Sequence, residues 1–197
     1  MFLEPPPDSE ARSAMYARDV ADDGYVANLT RLWAWRPDVF DAFLNARKLL
    51  AEKSELSLRE RAILVCSTAA NLGDSYCALA WGTTLASETD PTTAAAVVQC
   101  KEATQLTARE RALATWAGEL VGKPNAITPE DVDRLRAVGL VDQEIFDVTV
   151  FVAFRLAFST VNDALGARPD WQLAAAAPAT LRDAVGYGRP VSEHATK

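Results

Sequence analysis

Leu56 to Ser87 read LSLRERAILVCSTAANLGDSYCALAWGTTLAS, and this stretch decides the fold. Ser57, followed three residues later by Glu60, forms a capping box, in which a hydroxyl and a carboxylate bind free backbone amides at the start of a helix. The run Asn71-Leu72-Gly73 supplies residue types that end helices in the left-handed conformation. Asp74 then stands at the N-cap of another helix. The stretch therefore predicts two helices joined by a tight turn.

Cys77 falls in the first turn of the second predicted helix. The free amides and the positive end of the helix dipole at that place favour a thiolate, which makes a cysteine nucleophilic. The alternative is that Cys77 is a small apolar residue packed under the turn. Asp74 likewise has two interpretations, as an N-cap and as a proton acceptor for Cys77. A carboxylate so close would raise the pKa of the thiol and offset the dipole.

Further residues of the stretch are candidates for the same site. Glu60 is a capping-box member or, alternatively, a catalytic carboxylate. Trp81 follows Cys77 by one helical turn and shares its face, where it either fills a pocket or shapes an apolar ligand site. We assign Tyr76 and Asn71, together with Trp81, to the candidate substrate pocket. Arg59 and Arg61 are expected to donate ion pairs at the surface or at an interface.

A resemblance to a known family rests on two parts of the chain. The first part resembles the core of the carboxymuconolactone decarboxylase superfamily, in its AhpD-like, peroxidase-related branch. The second part resembles the C-terminal half of that branch. The matching residues of the first part are Arg59-Glu60-Arg61, Ala69-Ala70-Asn71 and Tyr76-Cys77, and those of the second are Leu106 to Leu113, Thr128 to Leu140 and Asp163 to Gly166.

The resemblance implies a hydroperoxide-reducing oxidoreductase, an antioxidant enzyme, with an AhpD-like helical bundle. The family motif is Cys-x-Tyr-Cys-x-x-x-His, with a glutamate twelve residues before the first cysteine. In this chain the attacking cysteine corresponds to Cys77, whereas Asp74, Trp81 and Ala62 stand at the positions of the resolving cysteine, the histidine and the glutamate. The resemblance therefore implies a single-cysteine enzyme that uses an external thiol reductant and needs no cofactor. It also implies a homo-oligomer: a dimer, trimer or hexamer.

A second hypothesis is a non-catalytic oligomeric binding or scaffold protein that keeps the family fold. It predicts an inert Cys77 and a retained apolar cavity. We expect Cys66 and Cys100 to be buried structural thiols, with a resolving role for either as the alternative. The only histidine, His194, lies in the tail, so no histidine-based catalytic triad or metal site is expected within the folded domain.

The rest of the chain predicts an all-α protein, because no segment shows sustained alternation of apolar and polar residues. We expect an N-terminal arm and helix over 1–23, the helical domain over 24–167 and a partly helical tail over 168–197 with a mobile end. The segment from Leu106 repeats the helix-start pattern of the segment from Leu56, 50 residues further on. Asp142 is expected to cap a long final helix that carries Ile145, Val148, Val152, Leu156 and Phe158.

Composition narrows the possible partners and locations. The formal net charge of -7 argues against nucleic acid and anionic membrane surfaces, because both attract basic proteins. The apolar runs are much shorter than a membrane-spanning helix, and the N-terminus lacks the features of a secretory signal. Three cysteines do not form a disulfide framework. The sequence therefore predicts a cytoplasmic protein with free thiols.

Overall fold

The computed structural model describes residues 1–193 and leaves His194 and the three residues after it outside the described part. Within residues 1–193 the fold is all-α, as predicted, with no strand. The helices are α1 (Glu10–Asp23), α2 (Asn28–Trp33), α3 (Pro37–Lys53), α4 (Leu58–Leu72), α5 (Ser75–Glu88), α6 (Pro91–Val98), α7 (Ala108–Gly122), α8 (Pro129–Ala137), α9 (Asp142–Ala164), α10 (Trp171–Ala176) and α11 (Ala179–Ala184), with a 3-10 turn at Pro124–Ala126.

The hairpin of α4 and α5 forms the centre of the molecule. Every residue of α4 from Ala62 to Ala69 is buried. Gly73 ends α4 in the left-handed conformation, with φ 82°. The amide of Asp74 then donates to the carbonyl of Ala69 at 2.9 Å. These bonds reverse the chain within two residues, as the sequence predicts.

Two crossed ion pairs join the starts of α4 and α7. Arg59 Nε lies 2.6 Å from Glu110 Oε1, and Arg109 Nε lies 2.7 Å from Glu60 Oε1. Each glutamate is also the carboxylate member of its own helix's capping box. The repeated pattern in the sequence is therefore a pair of helix starts that bind each other reciprocally.

Helix α9 lies along α4 and α7 and closes the core against α3. Five aromatic rings fill the region where α2, α3 and α9 meet: Trp33, Phe40, Phe43, Phe154 and Phe158. The prediction that Asp142 caps α9 is wrong, since the helix begins after Val141. The carboxylate of Asp142 instead pairs with Arg136 at 2.8 Å.

The C-terminal segment packs back onto the hairpin. Gly188 has φ +72°, and a Cβ built on it would lie 2.4 Å from the carbonyl oxygen of Gly73, so only glycine fits there. The hydroxyl of Ser75 donates to the carbonyl of Arg189 at 2.7 Å. We expected the last ten residues to be mobile, but 188 to 191 are held against the start of α5. The amide of Ser192 also donates to the carbonyl of Pro169 at 2.8 Å, and residues 194–197 lie outside the described residues.

Among residues 1–193, no helix has the length and apolar character needed to cross a membrane.

The crossed pairs yield a first prediction. Burial alone would raise the pKa of Glu110, but hydrogen bonds from Arg59 and from the backbone amide of Thr107 outweigh it and hold that pKa below its usual value. Glu110→Gln leaves Arg59 without its partner and should lower the free energy of unfolding by about 1–3 kcal/mol, measured by urea denaturation. Because the folded-state pKa is depressed, this stabilisation exists at neutral pH and is lost as the pH falls through that pKa.

The matched control is Asp38→Asn, which removes an exposed pair with Arg36 and should barely change the urea midpoint. The double variant Arg59→Met/Glu110→Gln should recover part of the stability lost in Glu110→Gln. Equal losses in Glu110→Gln and Asp38→Asn would contradict the structural role of the crossed pairs.

Candidate functional site

Cys77 lies in the first turn of α5 and is nearly enclosed, with 4% of its surface exposed. Asp74, which is fully buried at 0% exposure, is the N-cap of the helix. Its Oδ1 accepts a hydrogen bond from the backbone amide of Cys77 at 3.0 Å. The local sequence therefore places a carboxylate beside a thiol at a helix start, inside the protein.

Ser159 of α9 is the third member of this group. Its hydroxyl donates to Asp74 Oδ2 and lies 3.7 Å from Cys77 Sγ. A hydroxyl has one hydrogen, and a carboxylate only accepts, so the Ser159 oxygen is left to accept a hydrogen bond from the thiol. Ser159 could not be predicted as a member of this group from local sequence patterns, because it is 82 residues from Cys77 in the chain.

Arg155, one turn before Ser159 on α9, is also buried, with 2% exposure. Its guanidinium carbon lies 4.7 Å from the centre of the Trp81 ring and 5.8 Å from that of Phe151. Within residues 1–193, neither Nε nor Nη2 of Arg155 has a hydrogen-bond partner. Arg47 of α3 lies over Phe158 at 5.8 Å, and its buried Nε also lacks a partner among these residues.

These charges act on one another. Burial raises the pKa of the Cys77 thiol, Asp74 raises it further, and Arg155 opposes both without reversing the direction. Burial and the nearby Arg47 lower the pKa of Arg155 to about 9. The sequence-based expectation that the helix start favours a thiolate is therefore wrong for Cys77. Desolvation and the neighbouring carboxylate outweigh the helix dipole.

The structure separates the other predicted site residues from Cys77. Glu60 is held near the start of α4 by the capping box and by Arg109, about 18 Å along the helix from Leu72. The hydroxyl of Tyr76 donates to Asp170, whose other oxygen accepts from the amide of Asn28 at 3.0 Å. Of the three residues assigned to the pocket, Trp81 reaches the Cys77 group through its contact with Arg155.

Asn71 lies elsewhere, in an open cleft of about 480 Å³ between α4, α7 and the loop after α6. Cys100 lines the same cleft and is exposed, so the expectation of a buried thiol is wrong for this residue. Cys66 is buried, as predicted, and burial raises the pKa of its thiol.

Solved structures share this architecture. An uncharacterized peroxidase-related protein from Ralstonia eutropha JMP134, described as an alkylhydroperoxidase AhpD core, is 25% identical, with 86% of this chain and 93% of that chain covered and a TM-score of 0.76. The chain has the AhpD-like fold. The resemblance found in the sequence is confirmed at this level. No protein-family model and no curated protein sequence matches the chain.

Two other structures extend the comparison. A peroxidase-related protein from Silicibacter sp. TM1040 is 22% identical, covering 88% of this chain and 91% of that one, with a TM-score of 0.75. The debrominase Bmp8, solved in complex with 2,3,4-tribromopyrrole, is 16% identical, covering 93% and 97%, with a TM-score of 0.72. Proteins that share this fold therefore include a debrominase as well as peroxidase-related proteins.

The raised pKa of Cys77 gives a second prediction. In a Cys66→Ala/Cys100→Ser variant, which keeps Cys77 alone, alkylation by iodoacetamide should be slow at pH 7. It should increase as the pH rises and show no plateau by about pH 9, because the thiolate remains the minor form. The rate is measured by mass spectrometry of the intact protein.

The control is the same variant unfolded in urea, where the thiol is solvated and should react as an ordinary cysteine. A plateau below about pH 8 in the folded protein would mean that Cys77 is a stabilised thiolate, against the geometry described above.

Proposed function

We propose that the protein is a thiol-dependent peroxidase in which Cys77 reduces a hydroperoxide and an external dithiol restores the thiol. The observation that carries this proposal is the continuous contact from Cys77 Sγ through Ser159 Oγ to Asp74 Oδ2. General bases must lie within hydrogen-bond reach of the proton that they accept, directly or through one water molecule. In the proposed relay the hydroxyl of Ser159 takes the place of such a water.

The proton route compensates for the high pKa of the thiol. Loss of the Cys77 proton to solvent would leave two negative charges, on Cys77 and Asp74, side by side in the core. Transfer of the proton through Ser159 to Asp74 keeps a single negative charge, which moves from the carboxylate to sulfur near Arg155. The thiolate then forms only transiently, as substrate arrives.

The chemical steps balance with these groups. Cys77 Sγ attacks one peroxide oxygen, an S–O bond forms and the O–O bond breaks, and the leaving alkoxide takes the proton from Asp74 to become an alcohol. Sulfur is oxidised by two electrons to a sulfenic acid. One thiol of the dithiol displaces water to give a mixed disulfide, and the second thiol releases Cys77 and the oxidised dithiol.

The second candidate function is the non-catalytic binding or scaffold protein. The burial of Cys77 and its raised pKa favour this alternative, because enclosed thiols without activation are inert. In that case Asp74 serves only as the N-cap of α5, and Ser159 only satisfies its second oxygen. A debrominase is among the structural neighbours, so the shared fold does not by itself determine which reaction a protein catalyses.

Activity measurements with a cumene hydroperoxide substrate and dithiothreitol provide the third prediction. Cys77→Ser should abolish turnover, whereas Cys100→Ser should keep it. Ser159→Ala should lower turnover at least about tenfold because it removes the bridging hydroxyl. Its matched control is Thr160→Ala, the next residue of α9, whose exposed hydroxyl bonds only its own helix.

Asp74→Asn separates the two candidate functions, since asparagine also caps helices well. If Asp74 is only a cap, removing its negative charge lowers the pKa of Cys77, so alkylation at pH 8 becomes faster. If Asp74 also accepts the proton, alkylation becomes faster for the same reason, but turnover falls because the relay has lost its acceptor. Absence of turnover in the wild-type protein, together with faster alkylation of Asp74→Asn, would overturn the peroxidase proposal.

We also propose that the protein assembles as a homo-oligomer through α3 and α9. Phe146 and Val141 near the start of α9 are 64% and 60% exposed, and Leu49 of α3 is 55% exposed. Exposed apolar residues grouped on neighbouring helices are typical of protein interfaces.

As a fourth prediction, Phe146→Glu should shift the sedimentation coefficient toward that of a monomer, whereas Val20→Glu on α1 should not. A monomeric wild-type protein would contradict the proposal.

A further inference from the structure

Arg155 and Arg47 form a cationic pair that the peroxidase mechanism uses only in part. Arg155 has two buried donor nitrogens without a hydrogen-bond partner in the described part of the chain, and Arg47 has one. Neither forms an ion pair within the described residues 1–193, although the charge of the buried Asp74 acts on Arg155. Burying a guanidinium group costs free energy unless its N–H donors are hydrogen-bonded. A bound ligand with acceptor oxygens would supply the missing hydrogen bonds.

The positions of the side chains define where such an acceptor would lie. On α5, Cys77 and Trp81 are one helical turn apart, and on α9, Ser159 and Arg155 are one turn apart. Ser159 contacts Cys77, and Arg155 contacts Trp81. The guanidinium of Arg155 therefore lies about one turn, roughly 5–6 Å, from the level of the thiol.

The surroundings also limit the chemistry of the acceptor. Trp81 and Phe151 flank Arg155, and Phe158 lies under Arg47. A guanidinium binds the two oxygens of a carboxylate through paired hydrogen bonds, and Arg47 is near enough to Arg155 to lower its pKa. The aromatic rings offer an apolar surface to the remainder of such a molecule.

We infer that Arg155 and Arg47 form a carboxylate-binding subsite beside Cys77, and that the protein takes small aromatic or similarly apolar organic acids. The carboxylate would bind at the two arginines, with the reactive atom about one helical turn away at the thiol. Arg47 is partly exposed, so the ligand enters from the α3 side. As a substrate subsite this inference rests on the proposed peroxidase function, but the binding itself can be measured without turnover.

Calorimetric titration of the Cys77→Ala protein with benzoate tests the inference, with benzamide as the uncharged control. Benzoate should bind, and benzamide should bind at least about tenfold more weakly, because hydrogen bonds between charged groups add that much affinity. Arg155→Met and Arg47→Met, each in the Cys77→Ala background, should each weaken benzoate binding by a similar factor. Arg182→Met, an exposed arginine on α11, should leave it unchanged.

A stability measurement distinguishes a binding role from a structural one. Replacing a buried unpaired charge with an apolar side chain of similar size should raise the thermal midpoint of the ligand-free protein, by about 2 °C or more for Arg155→Met. A structural role predicts a lower midpoint. If Arg155→Met does not fold, Arg155 is structural, and the inference is overturned.

Failure to bind benzoate, equal binding of benzoate and benzamide, or unchanged binding by Arg155→Met or Arg47→Met would also overturn the subsite. Because Cys77 is absent from the titrated protein, these outcomes are independent of peroxidase activity. Binding without turnover would retain the subsite and reject the peroxidase function.

Discussion

The reciprocal bonding of two helix starts is the constraint on which the remainder of the structure depends. Arg59 reaches Glu110, and Arg109 reaches Glu60, while each glutamate also binds the backbone at the start of its own helix. Four charges and two helix termini are thereby satisfied by one another. Because a capping box fixes where a helix begins, the crossed pairs fix the register of α4 against α7 as well as their contact. The core then packs against α4 and α7, whose relative register is fixed by these bonds.

This fixed register explains how the protein holds polar groups at the other end of α4. The hairpin turn places Asp74 at the start of α5, under the carbonyl of Ala69, and α9 brings Ser159 and Arg155 against it. Each of these side chains would lower stability if it were buried alone. The bond from Ser159 satisfies Asp74, but nothing in the described chain satisfies Nε and Nη2 of Arg155. The packing of α5 against α9 therefore places an arginine with unpaired donors next to the Cys77 group.

The parts of the fold that depend on local signals could be predicted from the sequence. Capping residues such as Ser57, Thr107 and Asp74 predict helix starts because they bind backbone amides three residues further along the chain. The structure places all three at N-caps. Asp142 failed because aspartate is also favoured inside the first turn, where it stabilises the helix dipole without capping. Of the site, only Asp74 and Cys77 could be predicted, because they lie three residues apart at one helix start. Ser159 and Arg155 come from α9, where Ser159 is 82 residues from Cys77, and their only signal was their polarity among the apolar residues of that helix.

Ser159 and Arg155, which the local sequence does not predict, change the chemistry of the site. From the local sequence, Cys77 is a thiol at a helix start, and the dipole argument alone makes it acidic. In the folded protein, burial and Asp74 raise its pKa, while Arg155 works in the opposite direction. The balance between these charges depends on what binds the two arginines, because a carboxylate at Arg155 would neutralise the cation that favours a thiolate. An acid that occupies the subsite would therefore raise the barrier to forming the nucleophile unless Asp74 takes the proton at the same time. In the proposed mechanism, transfer of the proton through Ser159 to Asp74 removes the carboxylate charge beside Cys77, which offsets the loss of the favourable field of Arg155.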